Sequence, residues 1–179
     1  MDSLRIDGEG TMEPSIPQVP DRSGIAAGSM FSYEFSLCQK DLDDFIALSG
    51  DSNIIHRDQA AALHSPIGSM AVPGMLSALI FSRVLGTMFP GHGTVYRSQS
   101  LKFLAPMYLE KRYEARFVVL KIELPAPPDP NNLSTDHSKP AKVPIPRATI
   151  TTNIFDMKTG NLCLEGVATV FHKERLIPD

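Results

Sequence analysis

Apolar and polar residues alternate strictly in the stretch Phe31-Ser-Tyr33-Glu-Phe35-Ser-Leu37. A period of two predicts a half-buried strand, because successive side chains point to opposite faces. The period then changes. In the following QKDLDDFIAL, residues Leu42, Phe45, Ile46 and Leu48 recur at helical intervals, with acids in the first turn where the helix dipole favours them. Ser49-Gly50 ends this helix, a non-periodic segment runs from Asp51 to His56, and RDQAAALH predicts a short second helix.

From Pro73 to Phe89 the apolar residues Met75, Leu76, Leu79, Ile80, Phe81, Val84, Leu85 and Met88 surround almost the whole circumference, which predicts a helix buried on all sides. Pro73 fits only near its start, having no N–H to donate, and Pro90-Gly91 ends it.

Strand patterns fill the rest. GTVYRSQSLKF alternates imperfectly, whereas KRYEARFVVLKI turns Tyr113, Ala115, Phe117, Val119 and then Lys121 to one face. RATITTNIFDM is rich in β-branched residues, and Lys158-Thr159-Gly160-Asn161 turns it into NLCLEGVATVFH. Helices early and antiparallel strands late predict the α+β class, a curved sheet wrapped around one central helix.

The chain has 179 residues, a length that fits one domain. Residues 1–30, rich in Gly and Pro without a period, are expected to be a flexible arm ahead of a single domain at 31–179. Within that domain Glu123 to Pro146 holds seven of the fifteen prolines and is expected to be an irregular insertion.

A formal net charge of −3 gives no general electrostatic reason to bind nucleic acid. No apolar stretch is long enough to span a membrane, and the acidic start has neither the apolar core of a signal peptide nor the character of a transit peptide. The C-terminal Leu-Ile-Pro-Asp is not a peroxisomal signal of the Ser-Lys-Leu type. The expectation is therefore a soluble intracellular protein, cytoplasmic first, with peroxisome and mitochondrion left open. Cys38 and Cys163, each inside an apolar run, are expected to be buried free thiols, and no Cys/His spacing suggests a metal site.

The informative segment is Ser49-Gly50-Asp51-Ser-Asn53-Ile-Ile55-His56. Singly, its residues have ordinary explanations: a helix stop, a turn asparagine, a helix cap. Together, a carboxylate and an imidazole five positions apart on an irregular segment suit one cavity, and that pair can hold and polarise a water molecule.

This run resembles the signature of the MaoC-like hydratases, the (R)-specific enoyl-CoA hydratases of the hotdog superfamily. The resemblance continues through Pro73-Gly74-Met75-Leu76, Ser82, Gly93-x-x-Tyr96 and Gln99-Ser100-Leu101-x-Phe103. Two positions depart from the family: Ile54 stands where proline is usual, and Pro73 stands where histidine is usual. The resemblance implies a hotdog fold, a homodimer, and action on acyl thioesters without metal or organic cofactor. It implies Asp51 and His56 as catalytic dyad and the Gly74 N–H as donor to the thioester oxygen, with Asn53 and Ser82 in support. Physical chemistry agrees for Gly74: glycine lets a ligand approach the main chain, and a helix N-terminus presents unpaired donors. Ser82, eight residues further on, lies near the same face by helical geometry; a hydroxyl bonded back to its own helix is the other explanation.

The implied reaction is reversible hydration of trans-2-enoyl-CoA to (R)-3-hydroxyacyl-CoA. Alternatives are a 3-hydroxyacyl-[acyl-carrier-protein] dehydratase, a non-catalytic acyl-thioester-binding module, and a scaffold acting through the proline-rich segments. A pure binder needs neither Asp51 nor His56. His64, His92, His137 and His172, like Arg83, Arg97 and Lys102, are expected to be solvated.

Overall fold

The opening alternation becomes strand β1, Met30–Phe35, with Tyr33 buried and Glu34 exposed. The structure, a computed structural model, describes residues 24–124 and 144–178. Helix α1, Gln39–Ser49, starts where the Asp41 carboxylate accepts the Cys38 N–H at 2.8 Å. It stops at Gly50, whose φ of 73° lies in the left-handed region that a residue without Cβ adopts freely. A 3-10 turn, Ile54–His56, and a short helix α2, Gln59–Leu63, lead to the central helix α3, Gly74–Thr87.

Four long strands follow: β2 Val95–Phe103, β3 Tyr113–Glu123, β4 Arg147–Asp156 and β5 Leu162–Phe171. All pairs are antiparallel, in the order β1-β3-β4-β5-β2. One face of the sheet, including Phe117, Val119, Ile150, Ile154, Leu164 and Val170, is fully buried and closes on Leu76, Phe81, Val84 and Leu85 of α3. Phe81 meets Phe117 edge-on, with ring centroids 5.8 Å apart, and Phe89 stacks on Phe31 at 5.5 Å. Burying one such ring contributes roughly 1.5–3 kcal/mol. The architecture is the expected α+β hotdog, a sheet wrapped around a helix. Among the described residues no helix is long and apolar enough to cross a membrane.

Several local expectations need correction. Helix α3 is not buried on all sides: Met75 and Leu79 are 56% and 51% exposed, and Ser82 and Arg83 are exposed beside them. These positions form one stripe, the side that the sheet does not reach. The irregular alternation of β2 comes from a bulge between Tyr96 and Ser98. A second bulge, between Val119 and Lys121, shifts the phase of β3, so that Ile122 rather than Lys121 is buried.

Residues 24–30 belong to the fold, not to a free arm. Buried Ile25 exchanges backbone hydrogen bonds with Arg175 and Ile177, and Gly28 N–H donates to the Val119 carbonyl at 2.8 Å. Residues 1–23 lie outside the described residues, as do 125–143, most of the expected insertion; β3 runs to Glu123 and β4 begins at Arg147.

Candidate active site

The segment after α1 is held by a staircase of short polar side chains. The Ser49 hydroxyl donates to the Phe45 carbonyl and accepts the Asp51 N–H at 3.1 Å. Asp51 Oδ1 accepts the Asn53 N–H at 3.2 Å, and Asn53 Oδ1 accepts the Ile55 N–H at 3.4 Å. Each side chain thus fixes the backbone two residues ahead, the Asx- and ST-turn chemistry that Asp, Asn and Ser favour outside helices. The last step closes the 3-10 turn that carries His56, whose N–H donates to the Asn53 carbonyl at 3.1 Å.

His56 is buried, and its Nδ1 lies 2.7 Å from the Ala71 carbonyl oxygen. That carbonyl is held in turn, because the next residue, Val72, donates its N–H to Met107 at 2.8 Å. Pro73 then occupies the N-cap of α3 and supplies no side-chain acceptor, and no acid stands in the first turn. Among the described residues, the first N–H groups of α3, Gly74 foremost, therefore have no side-chain cap at the point where the chain passes His56.

These elements enclose a cavity of about 750 Å³. Asp51, His56, Ser49, Gly74 and Ser77 bring the polar groups; Phe45, Val72, Met75, Phe103, Leu104, Met107 and Leu164 form most of the remaining wall. Val72, Ser77, Met107, Cys163 and Leu164 are buried at its depth, while Met75 and Phe103 stand half exposed at its mouth. Burial pushes the Cys163 thiol pKa up, so this part of the wall stays uncharged. A mostly apolar cleft with a few convergent polar groups is the usual form of a small-molecule site.

The profile of the MaoC like domain family matches residues 24–124, more than half of the chain. The chain belongs to the MaoC-like domain family. It is 36% identical to the (R)-specific enoyl-CoA hydratase of Aeromonas caviae over 70% of this chain and 79% of that protein. It is 35% identical to the 3-hydroxybutyryl-CoA dehydratase of Methylorubrum extorquens over 48% of this chain, so that it spans 55% of that relative's length. The solved structure of the (R)-hydratase from A. caviae involved in PHA biosynthesis superposes with a TM-score of 0.65 at 30% identity, covering 83% of this chain and 97% of that one.

In this MaoC-like chain the structure brings Asp51, His56 and Gly74 to one cavity. Asn53 is exposed, and its hydrogen bonds hold the backbone between Asp51 and His56. Ser82 is exposed and does not line the cavity. Ser77 does, and it went unnoticed in the sequence. Ser82 lies eight residues, or about 12 Å, beyond Gly74 along α3 and is exposed, whereas Ser77 lies one turn beyond it and is buried against the cavity. Ser49 and Phe103, which the sequence offers as members of the resembling motifs without a site role, line the cavity too; the i, i+2 spacing of Ser49, Asp51 and Asn53 is the signal that reveals the staircase.

His172 is buried, not solvated: its Nδ1 accepts two backbone N–H groups, from Glu174 and Arg175, and its Nε2 lies 2.9 Å from the His92 carbonyl. His64 and His92 are exposed, and His137 lies outside the described residues. Arg83 and Arg97 lie over the rings of Tyr33 and Phe171, and Lys102 is 4.0 Å from Glu165. Cys38 is exposed and Cys163 buried; both are free thiols. Among the described residues no three His, Cys, Asp or Glu side chains gather as a metal site.

Proposed function

We propose that this MaoC-like protein is an (R)-specific enoyl-CoA hydratase, adding water reversibly across trans-2-enoyl-CoA to give (R)-3-hydroxyacyl-CoA. The observation that carries this is the convergence of a carboxylate, an imidazole and an uncapped helix N-terminus on one apolar cavity.

The tautomer of His56 sets its part. A carbonyl only accepts, so Nδ1 carries the hydrogen given to Ala71, and the neutral ring keeps its lone pair on Nε2. A water between Asp51 and Nε2 donates one hydrogen to each. As its oxygen attacks C3, Nε2 takes one proton and passes it to C2, leaving hydroxyl at C3 and hydrogen at C2 with no net change in the protein. Charge that gathers on the thioester oxygen meanwhile meets the Gly74 N–H and the positive end of α3.

The test is loss of enoyl-thioester absorbance with trans-2-enoyl groups of several lengths, each carried on coenzyme A and on acyl carrier protein, with chiral analysis of the product. The expected result is (R)-3-hydroxyacyl-CoA formed faster than its carrier-protein counterpart. Preference for the carrier protein would favour the dehydratase of fatty-acid synthesis, and no turnover on either carrier contradicts both.

We further infer a homodimer. Among the described residues strand β2 pairs only with β5, stands at the end of the sheet, and carries exposed Val95 and Phe103. The open stripe of α3, with Met75 and Leu79, is a second apolar surface. Sedimentation is expected to give twice the 19.6 kDa chain mass; a fully active monomer contradicts the inference.

A further inference from the structure

One polar side chain of the cavity has no part in the mechanism above. Ser77 lies one turn beyond Gly74 on α3, is only 2% exposed, and lines the cavity shared by Asp51 and His56. Among the described residues its hydroxyl has a single hydrogen-bond partner, the Pro73 carbonyl at 3.5 Å. That is well beyond the usual O–H···O distance of about 2.5–3.0 Å. The same carbonyl already accepts the Ser77 N–H at 3.2 Å. A buried hydroxyl so weakly engaged costs stability unless something completes its bonding, and the deep wall nearby, Val72, Met107 and Leu164, is apolar. The missing partner is then a polar atom of whatever binds.

We propose that the Ser77 hydroxyl donates a hydrogen bond to the oxygen that is added at C3, first as water and then as the hydroxyl of the (R)-3-hydroxyacyl thioester. This rests on the hydratase function proposed above. Two considerations direct the hydroxyl to that atom. The Gly74 N–H and the Pro73 C=O belong to one peptide unit and point in opposite directions along α3. Ser77 Oγ sits on the carbonyl side, away from the thioester oxygen that the Gly74 N–H would take. Near the reacting carbons, the remaining oxygen is the one at C3.

The coordination of the water is also completed. Its two hydrogens go to Asp51 and His56, one lone pair attacks C3, and the other accepts from Ser77. Ser77 transfers no proton. It fixes the direction of the attacking lone pair, and its bond persists in the product.

An enoyl thioester has no oxygen at C3, whereas the hydroxyacyl thioester has one, and this asymmetry supplies the test. Ser77→Ala removes the hydroxyl and places a better helix former in α3, so its melting temperature should match the wild type or rise slightly. In hydration of trans-2-enoyl-CoA, KM should stay unchanged while kcat falls about tenfold, the scale of one hydrogen bond. In dehydration of (R)-3-hydroxyacyl-CoA, KM should rise about tenfold while kcat stays unchanged. Both values of kcat/KM then fall by the same factor, as an unaltered overall equilibrium requires.

Ser77→Thr keeps the hydroxyl and should keep the wild-type ratio of the two KM values. Wild-type kinetics in both directions for Ser77→Ala, an equal rise of both KM values, or the alanine ratio in Ser77→Thr would each overturn the assignment. Asp51→Asn is assayed alongside. Its inactivity beside an active wild type upholds the hydratase function whatever Ser77 does, and an inactive wild type rejects that function and this assignment together.

Discussion

His56 Nδ1 lies 2.7 Å from the carbonyl oxygen of Ala71, fifteen residues further along the chain. That bond joins the irregular segment after α1 to the irregular approach of α3, the two pieces of chain that must stay in register for an imidazole to face a helix N-terminus. It also decides which ring nitrogen is available to water. Orientation of a catalytic imidazole by a backbone carbonyl costs no charged partner and leaves the carboxylate of Asp51 for the substrate side.

Gly74 has a structural neighbour that complicates its role. A Cβ there would stand 2.8 Å from Cε1 of Phe103, whose ring is half exposed, so the ring would have to shift. Gly74 does not adopt positive φ, so alanine is not strained in its backbone. Gly74→Ala should lower kcat/KM about 10²–10³-fold if the methyl keeps the thioester oxygen from the N–H. Adding Phe103→Ala relieves the ring clash, and the loss should persist. Recovery to the level of Phe103→Ala alone would show that the glycine serves only to seat the ring.

Asn53 is expected to act as a positioning residue. Asn53→Ala removes the acceptor for the Ile55 N–H and loosens the turn that carries His56. Loss of such a cap costs about 1 kcal/mol, or roughly 2–4 °C in a chain of this size. Beyond that, kcat should fall about tenfold with KM little changed, the pattern of a lost transition-state interaction. Asn53→Asp, which keeps the acceptor, should retain most of kcat. A melting shift with unaltered kcat would make Asn53 a cap and nothing more.

The β4–β5 turn should show acid-sensitive stability. Oδ1 of Asp156 accepts the N–H groups of Thr159 and Lys158, at 3.0 and 2.8 Å, and these bonds hold its pKa below the ordinary aspartate value. A depressed folded-state pKa means stabilisation that is present above the unfolded pKa and lost as pH falls through the folded one. Asp156→Asn should therefore lower the melting temperature at pH 7, and the gap to wild type should close below about pH 4. A gap constant across that range contradicts the assignment.

Period-two alternation made the strands legible, because one face of this sheet meets a core and the other meets solvent. What alternation cannot show is a bulge, and the two in β2 and β3 are where the sequence pattern slipped by one residue. The central helix was misjudged for a different reason. Met75 and Leu79 have core-like chemistry but lie on the uncovered stripe, and residue type does not report what covers it. That Asp51, His56 and Gly74 share one cavity is legible from motif and spacing. The place of Ser77 is not, since Ser77 and Ser82 look alike on an apolar helix until the phase of that helix against the cavity is known. His172 reads as a solvated strand-end residue because its partners are backbone groups, two from the turn that follows it and one from the distant loop at His92.

The central claim is that Asp51 and His56 together activate water in this cavity, and the most direct measurement is turnover of trans-2-enoyl-CoA by Asp51→Asn and His56→Ala, each with its melting temperature. Both variants should fold and each should lose about 10²–10⁴-fold in kcat, the contribution of a positioned acid or base. A well-folded variant of either residue that hydrates trans-2-enoyl-CoA at close to the wild-type rate would contradict the claim.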